Sequence, residues 1–163
     1  MATIHLILQG KGGVGKSMIA AFIAQYQLTK GKRPLCLDTD PVNASFQAYK
    51  GIPVTRLNIL QDEEIDPRSF DQLVELISQA KGDVVIDNGA SSFVPLSAYL
   101  ITNQVSAVLQ DMGHQIMVHT VITGGQAQSD TLHGFTQLVK QFPPDVSFVV
   151  WLNPYWGPIE RDG

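Results

Sequence analysis

Residues 10–17, GKGGVGKS, carry the spacing G-x-x-x-x-G-K-[ST], and an apolar run, IHLIL, precedes them. Glycines at 10, 12, 13 and 15 let a backbone curl until its N–H groups, those of Val14 and Met18 included, converge on an anion. A helix starting at the end of this turn adds the positive end of its dipole. In this pattern Lys16 bridges the β- and γ-phosphates of a nucleotide, and the Ser17 hydroxyl ligates Mg²⁺. A glycine-rich turn with a solvated lysine would need neither the strand before nor the helix after. A second lysine, Lys11, has no role in that minimal cradle.

Carboxylates complete the chemistry. DVVID, 83–87, is a short apolar run ending in Asp87, the Walker B arrangement when it lies beside a phosphate loop. LDTDP, 37–41, places Asp38 and Asp40 after another apolar run. Asp-Pro also begins ordinary turns, but carboxylates near a Mg²⁺-nucleotide orient metal and water. Asn153 ends the run VVWLN and offers both a donor and an acceptor to a base edge.

The elements that must position these groups alternate. Apolar runs at Ile4–Gln9, Pro34–Leu37, Arg56–Leu60, Asp83–Ile86, His114–Ile122 and Val146–Leu152 read as strands. Between them, Ile19, Phe22, Ile23 and Tyr26 mark one helix face, and Phe70, Leu73, Val74 and Ile77 mark another, capped by Asp66-Pro67. Residues 93–111 read as a helix with a break, and Leu132, Phe135, Val139 and Phe142 as a further helix. This is α/β order with a mostly parallel sheet, and with the phosphate-loop motif between the first strand and helix the expectation is a three-layer P-loop NTPase fold with helices on both faces. The runs at 35–37, 84–86 and 147–152 are expected to be covered on both sides. Polar residues collect at the C-terminal strand ends, where open α/β sheets bind ligands.

Lysine at the second position of GKGGVGKS, with DTDP about twenty residues after the loop, resembles the deviant Walker A group of P-loop ATPases, which includes ParA, MinD and the nitrogenase iron protein. The resemblance implies ATP and Mg²⁺ as cofactors and a homodimer closed face to face over two ATPs. It implies that Lys11 crosses to the partner's nucleotide, that Asp40 positions the attacking water, and that Asp38 supports Mg²⁺. Asp87 matches Walker B, and Asn153 matches the adenine-reading asparagine. QGKGGVGKS, LDTDPVNASF, VVIDNGASSFVPLS, TGGQA and VVWLNPYWGPIE together are similar to ParA-like conjugative transfer proteins of broad-host-range plasmids. That implies conjugative transfer or secretion machinery as partners. Two segments depart from ParA: DPVNAS stands for the usual DPQGN, and DNGASS for DTPP. A non-hydrolysing scaffold that recruits partners is the alternative they raise.

Size and charge bound the rest. The 163 residues fit a single nucleotide-binding domain over 1–163, and the stop just past a strand, in YWGPIERDG, reads as a C-terminal truncation of the family fold. Net charge is −4, and 82–139 hold no Lys or Arg, so DNA binding has no basic patch to support it. The N-terminus lacks a signal peptide's basic start, and the uncharged span 88–110 carries too many polar residues for a membrane helix. With one cysteine, Cys36, in an apolar run, the expectation is a buried thiol in a reducing, cytoplasmic setting. No N-K-x-D motif reads guanine, and no arginine-rich lid marks a small-molecule kinase. Ser91-Ser92 make no nucleophile elbow. The four histidines lack metal-ligand spacing, Glu63 and Glu64 read as a solvated loop, and Trp151, Tyr155 and Trp156 suit either a packed edge or a partner.

Overall fold

The structure, a computed structural model, describes residues 2–61 and 64–160; Glu63 lies outside them. In chain order come β1 (Thr3–Ile7), α1 (Lys16–Thr29), β2 (Leu35–Asp38), β3 (Val54–Arg56) and a small ribbon, β4 (Leu60–Gln61) and β5 (Glu64–Ile65). Then follow α2 (Pro67–Ser78), β6 (Val84–Asp87), α3 (Phe93–Thr102), α4 (Val105–Asp111), β7 (Gln115–Thr123), α5 (Gln128–Gln141) and β8 (Ser147–Asn153). Six strands form one sheet in the order β3-β2-β6-β1-β7-β8, every neighbouring pair parallel. Parallel pairing sends every strand's C-terminal end to one edge, so Asp38, Asp87 and the glycine loop after β1 meet there. Asp38 and Asp87 are register partners.

Alternation along the strands divides the core into two layers. Ile4, Leu6 and Leu8 pack with Phe70 and Leu73 of α2, Leu96 and Leu100 of α3, Leu109 of α4 and Leu138 of α5. Ile7, Val85 and Val121 pack on the other side against α1, with Phe46 and Ile52 from the loop after β2. Helix α2 starts as its sequence predicts: the Asp66 side chain accepts from the Arg68 N–H, and Pro67 occupies the first turn.

The expected helix faces hold for α2 and fail for α1 and α5. In α1, Ile19 and Ile23 are buried but Phe22 and Tyr26 are 50% and 61% exposed; Ala20, Ala21 and Ala24 face inward instead. Small side chains bring the helix close to the sheet. In α5, Leu132 and Val139 are exposed while Thr131, Gly134 and Leu138 are buried. The buried Gln9 amide sets that orientation, donating to the carbonyls of Val121 on β7 and Thr131 on α5. A buried amide must find such partners.

Three strand expectations also shift. The third strand is Val54–Arg56, earlier than 56–60, with Leu57 and Ile59 buried after it. Glu64 lies in β5, not in a loop. Among the described residues the run at 147–152 is not covered on both faces: its residues are half-buried or exposed, and Leu152 is 66% exposed. The uncharged span folds as α3 and α4, broken where Gln104 takes φ 50°. No described helix is long and apolar enough to cross a membrane.

Candidate nucleotide site

The glycine loop leaves β1 and turns into α1 through two left-handed residues, Gly13 at φ 72° and Gly15 at φ 103°. A side chain at either would be strained, so the turn that aims its N–H groups inward requires glycine. Gly15 caps α1, leaving the helix's first N–H groups free of any side-chain partner. In front of them opens a cavity of about 570 Å³, lined by Gly12, Gly13, Lys16, Ser17, Met18 and Asp40 among others. Its far wall comes from segments that motif spacing did not single out: Val42, Asn43 and Tyr49 on one loop, Ala90 and Ser91 on another. All but Tyr49 belong to the two stretches that depart from ParA, and sequence carries no signal of how they pack.

Lys16 is buried, and its ammonium donates to the Lys11 carbonyl at 2.9 Å. Burial lowers its pKa, and Asp87 and Asp40 partly offset that. Asp87 is also buried, and neither of its oxygens makes a well-formed hydrogen bond. Burial pushes its carboxyl up to about 7; the Ser17 hydroxyl offsets part of this, and Asp38 adds to it. Three carboxylates around one ammonium leave the site short of positive charge. Among the described residues no three metal-ligating side chains converge on one point. Ser17, with Asp87 behind it, would hold a divalent cation that arrives with phosphate oxygens, as hard cations on phosphates usually do. The uncapped N–H cradle and the unpartnered Asp87 both fit a Mg²⁺-nucleotide.

The remaining expected residues separate by position. Asp40 lines the cavity; its Oδ1 accepts from the Val42 and Asn43 N–H groups at 2.9 and 3.0 Å. Gly89 makes that placement possible, because a Cβ there would lie 2.7 Å from the Asp40 carboxyl. Asp38 does not line the cavity. It is buried, and its two oxygens accept from the Asp40 and Gln47 N–H groups, each at 3.0 Å. It thereby shapes the loop that carries Asp40. Gly10 packs under the Phe93 ring and Val14 is buried. Asn153 donates to the Val14 carbonyl at 3.0 Å and accepts from the Tyr155 N–H at 3.2 Å, tying the end of β8 to the glycine loop.

Lys11 points elsewhere. Its ammonium lies 2.8 Å from Asp130 in the first turn of α5. It lines a second cavity of about 370 Å³ together with Gly12, Gly13, Val14 and Trp156. The histidines are structural where buried: Trp151 donates to His119 Nδ1 at 3.0 Å, and His119 Nε2 meets His5 Nδ1 at 2.9 Å. Cys36 is a buried free thiol. At the opposite sheet edge the fold gathers Lys32, Arg33 and Lys81 round a concavity with Asp83, a grouping hidden by sequence separation.

The CobQ/CobB/MinD/ParA nucleotide binding domain model matches residues 5–138. Two Escherichia coli proteins named TraL are each 68% identical over all 163 residues, which span 68% of their own length. MobD of Acidithiobacillus ferrooxidans is 28% identical over 160 residues, 95% of this chain and 65% of MobD. CooC, a carbon monoxide dehydrogenase accessory protein of Rhodospirillum rubrum, is 37% identical over 57 residues, 35% of this chain and 21% of CooC. A cradle built on left-handed glycines, an unpartnered aspartate at the end of the neighbouring strand and these matches agree: the chain belongs to the CobQ/CobB/MinD/ParA nucleotide-binding domain family and is similar along its whole length to TraL.

Proposed function

We propose that the protein is a Mg²⁺-dependent ATP switch that closes face to face with a second copy over two nucleotides and hydrolyses ATP slowly. The observation that carries this reading is the divergence of the two loop lysines. Lys16 lines the cavity in front of α1, while Lys11 lines the second cavity and pairs with Asp130. A cation placed there is available to a nucleotide held by another molecule. Delivered to developing phosphoryl charge, such a cation gives large rate effects. Asp40 orients the attacking water, Ser17 and Asp87 hold Mg²⁺, and Asp38 supports the metal indirectly through the loop it shapes. Similarity to TraL supports a place in conjugative plasmid transfer, with transfer or secretion machinery as partners and the cytoplasm as the site of action.

Sedimentation of the full-length protein with Mg²⁺ and ATP or ADP tests the proposal. ATP should drive dimers and ADP should not. Lys16→Ala should abolish ATP binding. Lys11→Ala should keep most of it while losing dimerisation and phosphate release. Normal dimers and turnover in Lys11→Ala would overturn the trans role. A second reading, a non-hydrolysing scaffold, is favoured by the commitment of Asp40 Oδ1 to two backbone N–H groups. Phosphate release that disappears in Asp40→Ala would exclude it.

A further inference from the structure

Behind the cavity wall, the loops that carry Asp40 and Asp87 are joined by three buried side chains, Thr39, Asn88 and Ser92. Asn88 Nδ2 donates to the Gly89 carbonyl at 3.0 Å. A carbonyl can only accept, so Oδ1 is the atom turned to the hydroxyls. Ser92 donates to that oxygen at 2.7 Å. The Thr39 hydroxyl shares its proton between the Asp87 carbonyl at 2.9 Å and Asn88 Oδ1 at 3.2 Å. The Thr39 N–H donates to the same Asp87 carbonyl at 2.9 Å, continuing the pairing of β2 with β6 past their aspartates. Ser92 stands at the N-cap of α3, yet its side chain makes no capping bond. A serine there ordinarily holds an N–H of the first turn; this one holds Asn88.

A buried amide is costly unless its bonds are made, and a satisfied network of this kind is stiff. Its place gives the stiffness a use. Asn88 stands between Asp87 and Gly89, the glycine whose missing Cβ leaves room for the Asp40 carboxyl. Thr39 stands between Asp38 and Asp40. Ala90 and Ser91, which line the cavity, form an arch whose feet, Asn88 and Ser92, are tied by one hydrogen bond. Asn88 itself does not line the cavity, so it acts on a bound nucleotide only through its neighbours. We infer that Asn88 is a positioning residue: with Thr39 and Ser92 it locks the two loops into one unit and sets Asp40 against Asp87. Asn88 and Ser92 belong to DNGASS, one of the two stretches that depart from ParA. The inference rests on the reading above, in which Asp40 orients water and Asp87 holds Mg²⁺.

Two measurements on the full-length protein test the lock. The first is amide hydrogen exchange without nucleotide. Thr39→Val keeps the side chain's shape and removes its hydroxyl. It should speed exchange in the peptide 88–96, on the other loop, about fivefold, the effect of one hydrogen bond. Asn88→Ala and Ser92→Ala should do the same to the peptide 39–47, with α2 unchanged as the internal reference. Acceleration confined to the loop that carries the substitution overturns the inference, as does equal acceleration in α2. The second measurement separates phosphate release from nucleotide binding, with Mg²⁺ and ATP. Asn88→Ala and Thr39→Val should lower turnover about tenfold or more, because a small misplacement of a reacting group costs that much. The ATP dissociation constant should stay within about twofold, since only the reacting arrangement is lost. Thr39→Ser, which restores the hydroxyl, should recover most of the turnover. Equal losses in Thr39→Ser and Thr39→Val overturn the positioning role, as does weakened binding that accounts for the lost turnover. Wild-type protein that releases no phosphate would end the hydrolysis reading instead; the cross-loop exchange, which needs no nucleotide, decides the lock by itself.

Discussion

At the residue scale, Asp87 carries a cost that the proposed ligand would relieve. Its carboxylate is buried without a well-formed hydrogen bond, a costly state for a charge. Asp87→Asn should therefore stabilise the nucleotide-free protein at pH 8 by a few kcal/mol, on the order of the cost of an unpaired buried charge. It should also weaken Mg²⁺-dependent nucleotide binding. Denaturant melts with and without Mg²⁺-ATP read both effects, and equal stabilisation of the two proteins by nucleotide would contradict the assignment. Asp130 makes the complementary case. Its carboxyl is held below the usual range by the hydrogen bond and charge of Lys11, yet the pair is exposed and screened. Asp130→Ala frees Lys11 and should increase ATP-driven dimerisation about two- to fivefold, as expected for losing an exposed ion pair. Sedimentation equilibrium would show it; weaker dimers would mean that Asp130 serves the interface directly.

At the scale of elements, local rules predict two measurable effects. Asp66 caps α2 through the Arg68 N–H at 3.0 Å, so Asp66→Ala should cost about 1 kcal/mol in urea unfolding. Gln104 sits at φ 50° between α3 and α4. Gln104→Gly should stabilise by about 0.5–1 kcal/mol, because the left-handed conformation strains a side chain more than glycine. A loss of stability there would mean that the Gln104 side chain makes a contact worth more than the strain. The mistaken faces of α1 and α5 have a shared cause. Both helices press small residues on the sheet, Ala20 and Ala24 in one and Gly134 in the other, and periodicity weighted toward large apolar side chains overlooks such faces.

For the whole molecule, acid sensitivity should trace to the histidine chain between β1, β7 and β8. Burial lowers His119 to about 4, and neighbouring His5 adds to the shift. Because the folded value lies below the unfolded one, the stability is present above about 6.5 and is lost as pH falls toward 4. The loss should reach on the order of 3 kcal/mol. His119→Gln should flatten the stability profile between pH 6.5 and 4; an unchanged slope would place the titration elsewhere.

The alternating α/β order, the glycine turn into α1 and the place of Asp87 at the end of β6 were legible in the sequence because each depends on residues close together in the chain. Gly13 and Gly15 carry the turn locally, and parallel pairing brings any aspartate at the end of β2 or β6 to the same edge. Only the tertiary structure decided that Asp38 shapes a loop instead of lining the cavity, and that Lys11 and Lys16 line different cavities. It alone tied Thr39 to Ser92 through Asn88. Those outcomes depend on packing between segments far apart in sequence, where a side chain's direction follows from what its neighbours leave free.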